Sequence, residues 1–264
     1  MTGMDVGAYL RRIRFDATPR PDLDTLRALH IAHLEAVPFE NLDIHLGRRV
    51  VLDERAFFDK IVSRGRGGWC FELNGLFAAL LRSIGFRATM LAAGVRQQDG
   101  TYSHEFNHMT LMVELAERWL ADVGFGDSFR EPLRLDDPGE QVRDGRPYRI
   151  THDGVRGIMS GRSETGTEKG YRFTLAPREL GNYTGRCVYL QTSPDSIFTQ
   201  RIICSRATPT GRVTIANRQL IITEGDARTE RELAESEWRE AFTTHFGIPE
   251  EDARLLRPAA QAAG

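Results

Sequence analysis

The chain reads as an α+β protein assembled from several units, on three observations. The first third carries apolar residues at helical spacing, the stretch after residue 88 breaks into short apolar runs between turn signals, and the last third mixes strands with a final helix. Leu23, Leu26, Leu29 and Leu34 form a helical stripe that must end before Pro38. DERAFFDKIV is a second, shorter helical pattern, closed by Arg64-Gly65-Arg66-Gly67-Gly68. A third helix follows at once, because Leu73, Leu76, Phe77, Leu80, Leu81 and Ile84 fall on one face, with Gly85 at the capping position. Turns are expected at Asp99-Gly100, Pro138-Gly139, Asp144-Gly145 and Asp153-Gly154. HMTLMVEL and RWLADVGF read as strands of a compact β-unit, and residues 150–175 as further hairpins around a polar centre. A third region starts between residues 176 and 200, with strands in RIICSR, GRVTIAN and QLIITEG. Thr229 and Glu232 spell a capping box for a final helix whose apolar stripe is Leu233, Trp238, Phe242 and Phe246, stopped by Gly247 and Pro249.

Composition narrows the function. The 264 residues hold 35 basic and 37 acidic side chains, a net charge of −2, which argues against a dedicated nucleic-acid binder. With 41% hydrophobic residues a substantial core is available. The longest strongly apolar stretch, Leu76–Leu81, is far short of the roughly 20 residues that cross a bilayer. MTGMDVGAYLRRIRF places charges where a signal peptide needs an apolar run, so a cytoplasmic protein with no membrane partner is expected. Cys70, Cys187 and Cys204 are odd in number and lack CxxC spacing, which argues against a disulfide framework.

Chemistry concentrates in RGRGGWCFELNGLF. Cys70 opens a helix directly after a glycine-rich turn, sharing a face with Leu73 and Phe77. Unpaired amides and the helix dipole favour an anion there, so the thiol is expected to be lowered and nucleophilic. A buried, inert cysteine is the other reading. A nucleophile needs a base and an orienting group, and neighbouring strands offer His108 and Asp122. Register sets a condition. A two-residue loop at Ala116-Glu117 would put the two on opposite faces, so an odd-numbered loop or a bulge is required. Singly, Asp122 is an ordinary turn-flanking carboxylate and His108 an ordinary strand histidine.

The run RGRGGWCFELN, the strand His108, Asp122-Val123-Gly124-Phe125-Gly126, the upstream VPFENLDI (Val37–Ile44) and the downstream TSPDSIFTQR (Thr192–Arg201) together resemble the arylamine N-acetyltransferase family, in its order and approximate spacing. The resemblance implies a helical unit (residues 1–88), a β-barrel unit (89–190) and an α/β unit acting partly as a lid (191–264). It also implies a Cys70–His108–Asp122 triad that moves acetyl from acetyl-CoA to an arylamine or hydrazine. Phe39, Phe125 and Phe198 would line the substrate cleft, with Gly124 and Gly126 beside the thioester. No metal is implied. Rival readings are an amide synthase on the same scaffold, a cysteine hydrolase of the transglutaminase or protease kind, and a non-catalytic thioester-binding module.

Other motifs are weaker. His104-Glu105-Phe106-Asn107-His108 spells HExxH, but on a strand the two histidines would stand about 13 Å apart, too far for one zinc. The glycines of Gly65–Gly68 lack a GK[ST] ending, and Phe129 replaces the third glycine of a dinucleotide fingerprint. His30 and His33 read as surface or cap histidines, Cys187 and Cys204 as core, and Arg228–Arg239 as a solvated helix face.

Overall fold

The structure is a computed structural model describing residues 4–153, 155–163 and 166–257. It opens with α1 (Val6–Arg12) and α2 (Leu23–Ala36), the latter capped by the Asp22 side chain and broken before Pro38 as expected. A two-residue strand β1 (Phe39–Glu40), α3 (Leu42–His45) and α4 (Glu54–Phe58) follow, α4 running into a single π turn at Asp59–Ser63. Next comes α5 (Cys70–Ile84), ended by Gly85 in the left-handed conformation at φ 109°.

The β-unit runs β2 (Arg87–Val95), β3 (His108–Glu114), β4 (Arg118–Ala121), β5 (Leu133–Arg134), β6 (Gln141–Arg143), β7 (Arg146–His152), β8 (Arg156–Arg162) and β9 (Glu168–Thr174). All pairings are antiparallel, in the order β5-β4-β3-β2-β9-β8-β7-β6. The Gln141 side chain ties the two edge strands together, accepting from the Arg134 N–H (2.8 Å) and donating to the Arg134 carbonyl (2.9 Å). The sheet is thereby nearly closed into a barrel, filled by Leu91, Leu120, Phe129, Ile150, Met159 and Phe173. Asp144 and Gly145, both at positive φ, make the two-residue turn between β6 and β7. Gly154 of the remaining expected turn lies outside the described residues.

A 3-10 turn (Leu180–Tyr183), α6 (Thr184–Thr192) and α7 (Ile197–Gln200) lead into β10 (Ile203–Thr208), β11 (Gly211–Ala216), β12 (Gln219–Glu224) and β13 (Ala227–Glu232), then α8 (Glu235–Phe246) and α9 (Glu250–Leu255). The second sheet is ordered β1-β10-β11-β12-β13, so the VPFEN block is an edge strand of the C-terminal sheet. Arg206 joins the same two regions, donating to the carbonyls of Glu35 (2.7 Å) and His245 (2.8 Å) at the ends of α2 and α8.

Two expectations need correction. Thr229 and Glu232 belong to the exposed edge strand β13, not to a helix cap, because Ala227–Glu232 pairs along β12. The helix begins at Glu235, and Glu237 accepts from the Ala234 N–H. Arg228–Arg239 is therefore half strand and half helix, laced by Arg228–Glu230, Arg231–Glu237 and Arg239–Glu235 pairs. Among the described residues no helix is long and apolar enough to cross a membrane.

Candidate active site

The glycine-rich turn exists to let two backbones touch. Gly67 lies so close to Pro38 that a Cβ would collide with its carbonyl oxygen, and the Gly68 carbonyl accepts from the Glu40 N–H at 2.8 Å. Arg66, wholly buried, fixes that turn by pairing with Glu40, Asp43 and Asp252. Lys60 reaches Asp43 (2.9 Å) and Glu72 (3.0 Å) beside it. Burial pushes the Glu72 carboxyl up to about 7, although the Lys60 ammonium pulls it down. Glu72 also accepts from the Trp69 N–H at 3.1 Å, half of a capping box that starts α5.

Cys70 is the first residue of α5 and is buried, its sulfur against the Asn107 carbonyl at 3.9 Å. Burial works against the expected lowering of the thiol. Burial foremost, then the Asp122 charge, pushes it up, while the amides of Met109 and Phe71 act the other way.

His108 begins β3 and Asp122 stands one residue beyond β4. The ladder pairs Leu111 with Ala121 and Glu114 with Arg118, leaving the three-residue loop Leu115–Glu117, the odd length that a same-face arrangement demands. His108 Nε2 then meets Asp122 Oδ2 at 2.6 Å, fully shielded from water. Because a carboxylate only accepts, Nε2 carries the hydrogen and Nδ1 is left as the basic nitrogen. Burial opposes the Asp122 charge, but the His108 ring, the Asn74 amide and the Gly124 N–H outweigh it and hold the carboxyl below its usual range. Asn74 donates to Asp122 Oδ1 (2.8 Å) and to the Met109 carbonyl (2.7 Å) and accepts from the Val123 N–H (2.9 Å).

Gly124 packs on the Cys70 backbone, where a Cβ would stand 2.8 Å from Cys70 Cα; Gly126 has φ 76° and open space around it. Phe125 lies over His108 (ring centroids 5.1 Å apart) and against Tyr171 (4.9 Å). Phe198 packs on Trp69 (5.3 Å) and Phe39 (6.3 Å). The three phenylalanines thus form two groups, one on the His108 side and one beside Trp69. His104 is exposed and accepts from the Phe106 N–H, away from buried His108. Cys187 and Cys204 are buried.

Sequence reasoning misplaced or missed four residues around the site. Asn74 sits one helical turn after Cys70, a spacing that puts it on the same face. Tyr171, 5.0 Å from the His108 ring, comes from β9 and has no local signal. His30 and His33 are not surface residues but wholly buried. His30 and His33 follow Leu26 at i+4 and i+7, so the leucine stripe already contained them.

The family model described as N-acetyltransferase matches residues 22–254. The chain belongs to the arylamine N-acetyltransferase family. It is 35% identical to the arylamine N-acetyltransferase of Mycolicibacterium smegmatis over 93% of this chain and 92% of the relative. A solved M. smegmatis arylamine N-acetyltransferase superposes with a TM-score of 0.89 at 33% identity, covering 97% of each chain. The Mycobacterium marinum enzyme in complex with CoA superposes at 0.88 and 28% identity, covering 97% of this chain and 100% of that one. As a member of this family the protein is an acyltransferase.

Proposed function

We propose that the protein moves the acetyl group of acetyl-CoA to arylamines and arylhydrazines by a ping-pong route through acetyl-Cys70, acting in the reducing cytoplasm. The observation that carries this reading is the buried His108–Asp122 pair beside the helix start that holds Cys70. The relatives' names supply acetyl transfer to arylamines, and the M. marinum complex supplies CoA.

His108 Nδ1 takes the Cys70 proton, and Asp122 stabilises the imidazolium. A thiol pushed up by burial ionises poorly by losing its proton to water, so internal transfer to His108 is the economical route to the thiolate. The thiolate attacks the acetyl carbonyl carbon. The carbon–sulfur bond to CoA breaks, and the departing CoA sulfur takes the proton from His108. A neutral amine then attacks acetyl-Cys70, gives a proton to His108, and leaves as the amide while Cys70 regains its hydrogen. The Cys70 N–H, at the start of the helix, is the donor for each oxyanion. Gly124 and Gly126 border the thioester, and Phe39, Phe125 and Phe198 line the acceptor cleft.

Arylamines should outrun alkylamines by a wide margin. Aniline is neutral at pH 7, whereas an alkylamine is a hydrated cation that an apolar cleft rejects. Each aromatic contact adds about 0.5–1.5 kcal/mol for a flat ring. Acetyl-CoA consumption with and without an arylamine tests the reading. Turnover that requires the amine supports it; equal hydrolysis without amine would assign a hydrolase. An arylamine compared with an alkyl hydrazine of similar basicity, in wild type and in Phe125→Leu, tests the cleft: equal rates in both proteins would remove the aromatic pocket.

A further inference from the structure

Asp122 stands just beyond the end of β4, so its backbone N–H leaves the ladder and needs another partner. That partner is the side chain of His30, 92 residues earlier on α2, whose Nε2 accepts the Asp122 N–H at 3.0 Å. On the other side of the ring, Nδ1 meets the Arg130 carbonyl at 2.7 Å. The two partners determine the tautomer. A backbone N–H only donates and a carbonyl oxygen only accepts, so Nδ1 carries the hydrogen and Nε2 is bare. The ring is completely shielded, stacked on Phe129 (5.8 Å, 16°) and set edge-on to Phe77 (6.1 Å, 79°), a residue of the same helix that begins with Cys70.

We propose that His30 is a positioning residue of the reaction: its neutral ring clamps the Asp122 backbone between α2 and the Arg130 segment and so keeps the carboxylate aimed at His108. The inference rests on the triad reading. Asn74 and the Gly124 N–H hold the carboxylate oxygen Oδ1, and His30 takes the backbone N–H of the same residue. Burial lowers the ring's proton affinity to about 4, against the pull of the Arg130 carbonyl and the Asp122 charge, so the acceptor nitrogen stays bare through neutral pH. Without that acceptor the buried N–H loses its partner and the chain end carrying Asp122 is free to shift. A displacement on the order of 1 Å costs reactivity heavily.

The readout is the rate of Cys70 alkylation by iodoacetamide from pH 5 to 9, with melting curves to establish folding. The titratable neighbours are Asp122, Tyr171, Tyr183 and Cys187 around the thiol–imidazole pair, and His33 around His30. His30→Leu, folded, should react about tenfold more slowly at pH 7, with its inflection raised by about one unit. His30→Gln, whose amide oxygen takes the place of Nε2, should restore most of the wild-type profile. A folded His30→Leu with the wild-type profile, or His30→Gln as impaired as His30→Leu, would overturn the clamp. His108→Gln separates the two levels: if it alters the profile and His30→Leu does not, only the clamp fails; if it does not, the triad and the clamp fail together. Should His30→Leu not fold, nitrogen NMR of histidine-labelled wild-type protein decides. A bare Nε2 on His30 from pH 6 to 8 supports the clamp, and a protonated one contradicts it.

Discussion

In the proposed reaction Asp122 serves by its charge and by what it cannot do, which is donate a hydrogen bond. Asn74 and the Gly124 N–H both point at its Oδ1, so an amide substituted there would keep its oxygen toward them and present its NH₂ to His108. The ring would then hold its hydrogen on Nδ1, the nitrogen needed as base. Asp122→Asn should therefore fold normally and lose on the order of a thousandfold or more in turnover. A folded variant with near-normal rates would remove Asp122 from the mechanism. The three residues proposed to react could be picked out in the sequence because the proposed chemistry demands a nucleophile, a base and a carboxylate. Their supports could not. Tyr171 reaches His108 only through strand pairing, and His30 meets Asp122 only once α2 is packed against the end of β4. A helix start can be read from sequence, but the degree of burial, which pushes the Cys70 thiol up, cannot.

At the scale of elements, periodic helices and turn-bounded strands were readable, and contextual ones were not. Leu23–Ala36 and Cys70–Ile84 combine regular apolar faces with clear ends. α6 has a largely solvent-facing, weakly patterned sequence in which Cys187 and Leu190 are the buried positions, so nothing marked it. Thr229-x-x-Glu232 satisfies the cap pattern yet pairs as β13, because hydrogen bonding to β12 outweighs a local capping preference. The real start of α8 has Ala234 at the cap position, where no side chain can accept the first amides. Ala234→Asp should therefore raise stability by about 1 kcal/mol, read as a shift of the denaturation midpoint at constant slope. An unchanged midpoint would mean that Glu237, which already takes the Ala234 N–H, leaves nothing for a cap to add.

Across the whole molecule, burial of polar groups links the site to stability. Unfolded His30 takes a proton near pH 6.5, but in the folded protein burial delays it to about 4. Between those values the unfolded state binds more protons, so stability present above about pH 6.5 is lost as pH falls toward 4, by about 3 kcal/mol from this ring. His33, held well below its usual value by the same burial, acts in the same direction. Asp127, held down to about 2 by Lys169, Arg212 and Arg146 against its own burial, gives up its contribution only at lower pH. His30→Gln should consequently show a shallower fall in melting temperature from pH 6.5 to 4 than the wild type; identical slopes would mean that other groups set the acid limit. The same interweaving joins distant segments: β1 pairs with β10, and Arg66 reaches Asp252 on α9, so the turn before Cys70 is braced by the C-terminal region. The proposed reaction turns on one sulfur. Mass spectrometry of the protein mixed with acetyl-CoA and no amine should find one added acetyl group, on the peptide containing Cys70, discharged within one turnover when an arylamine is added. An acetyl group on Cys187 or Cys204, or none while amine-dependent turnover proceeds, would contradict a reaction through acetyl-Cys70.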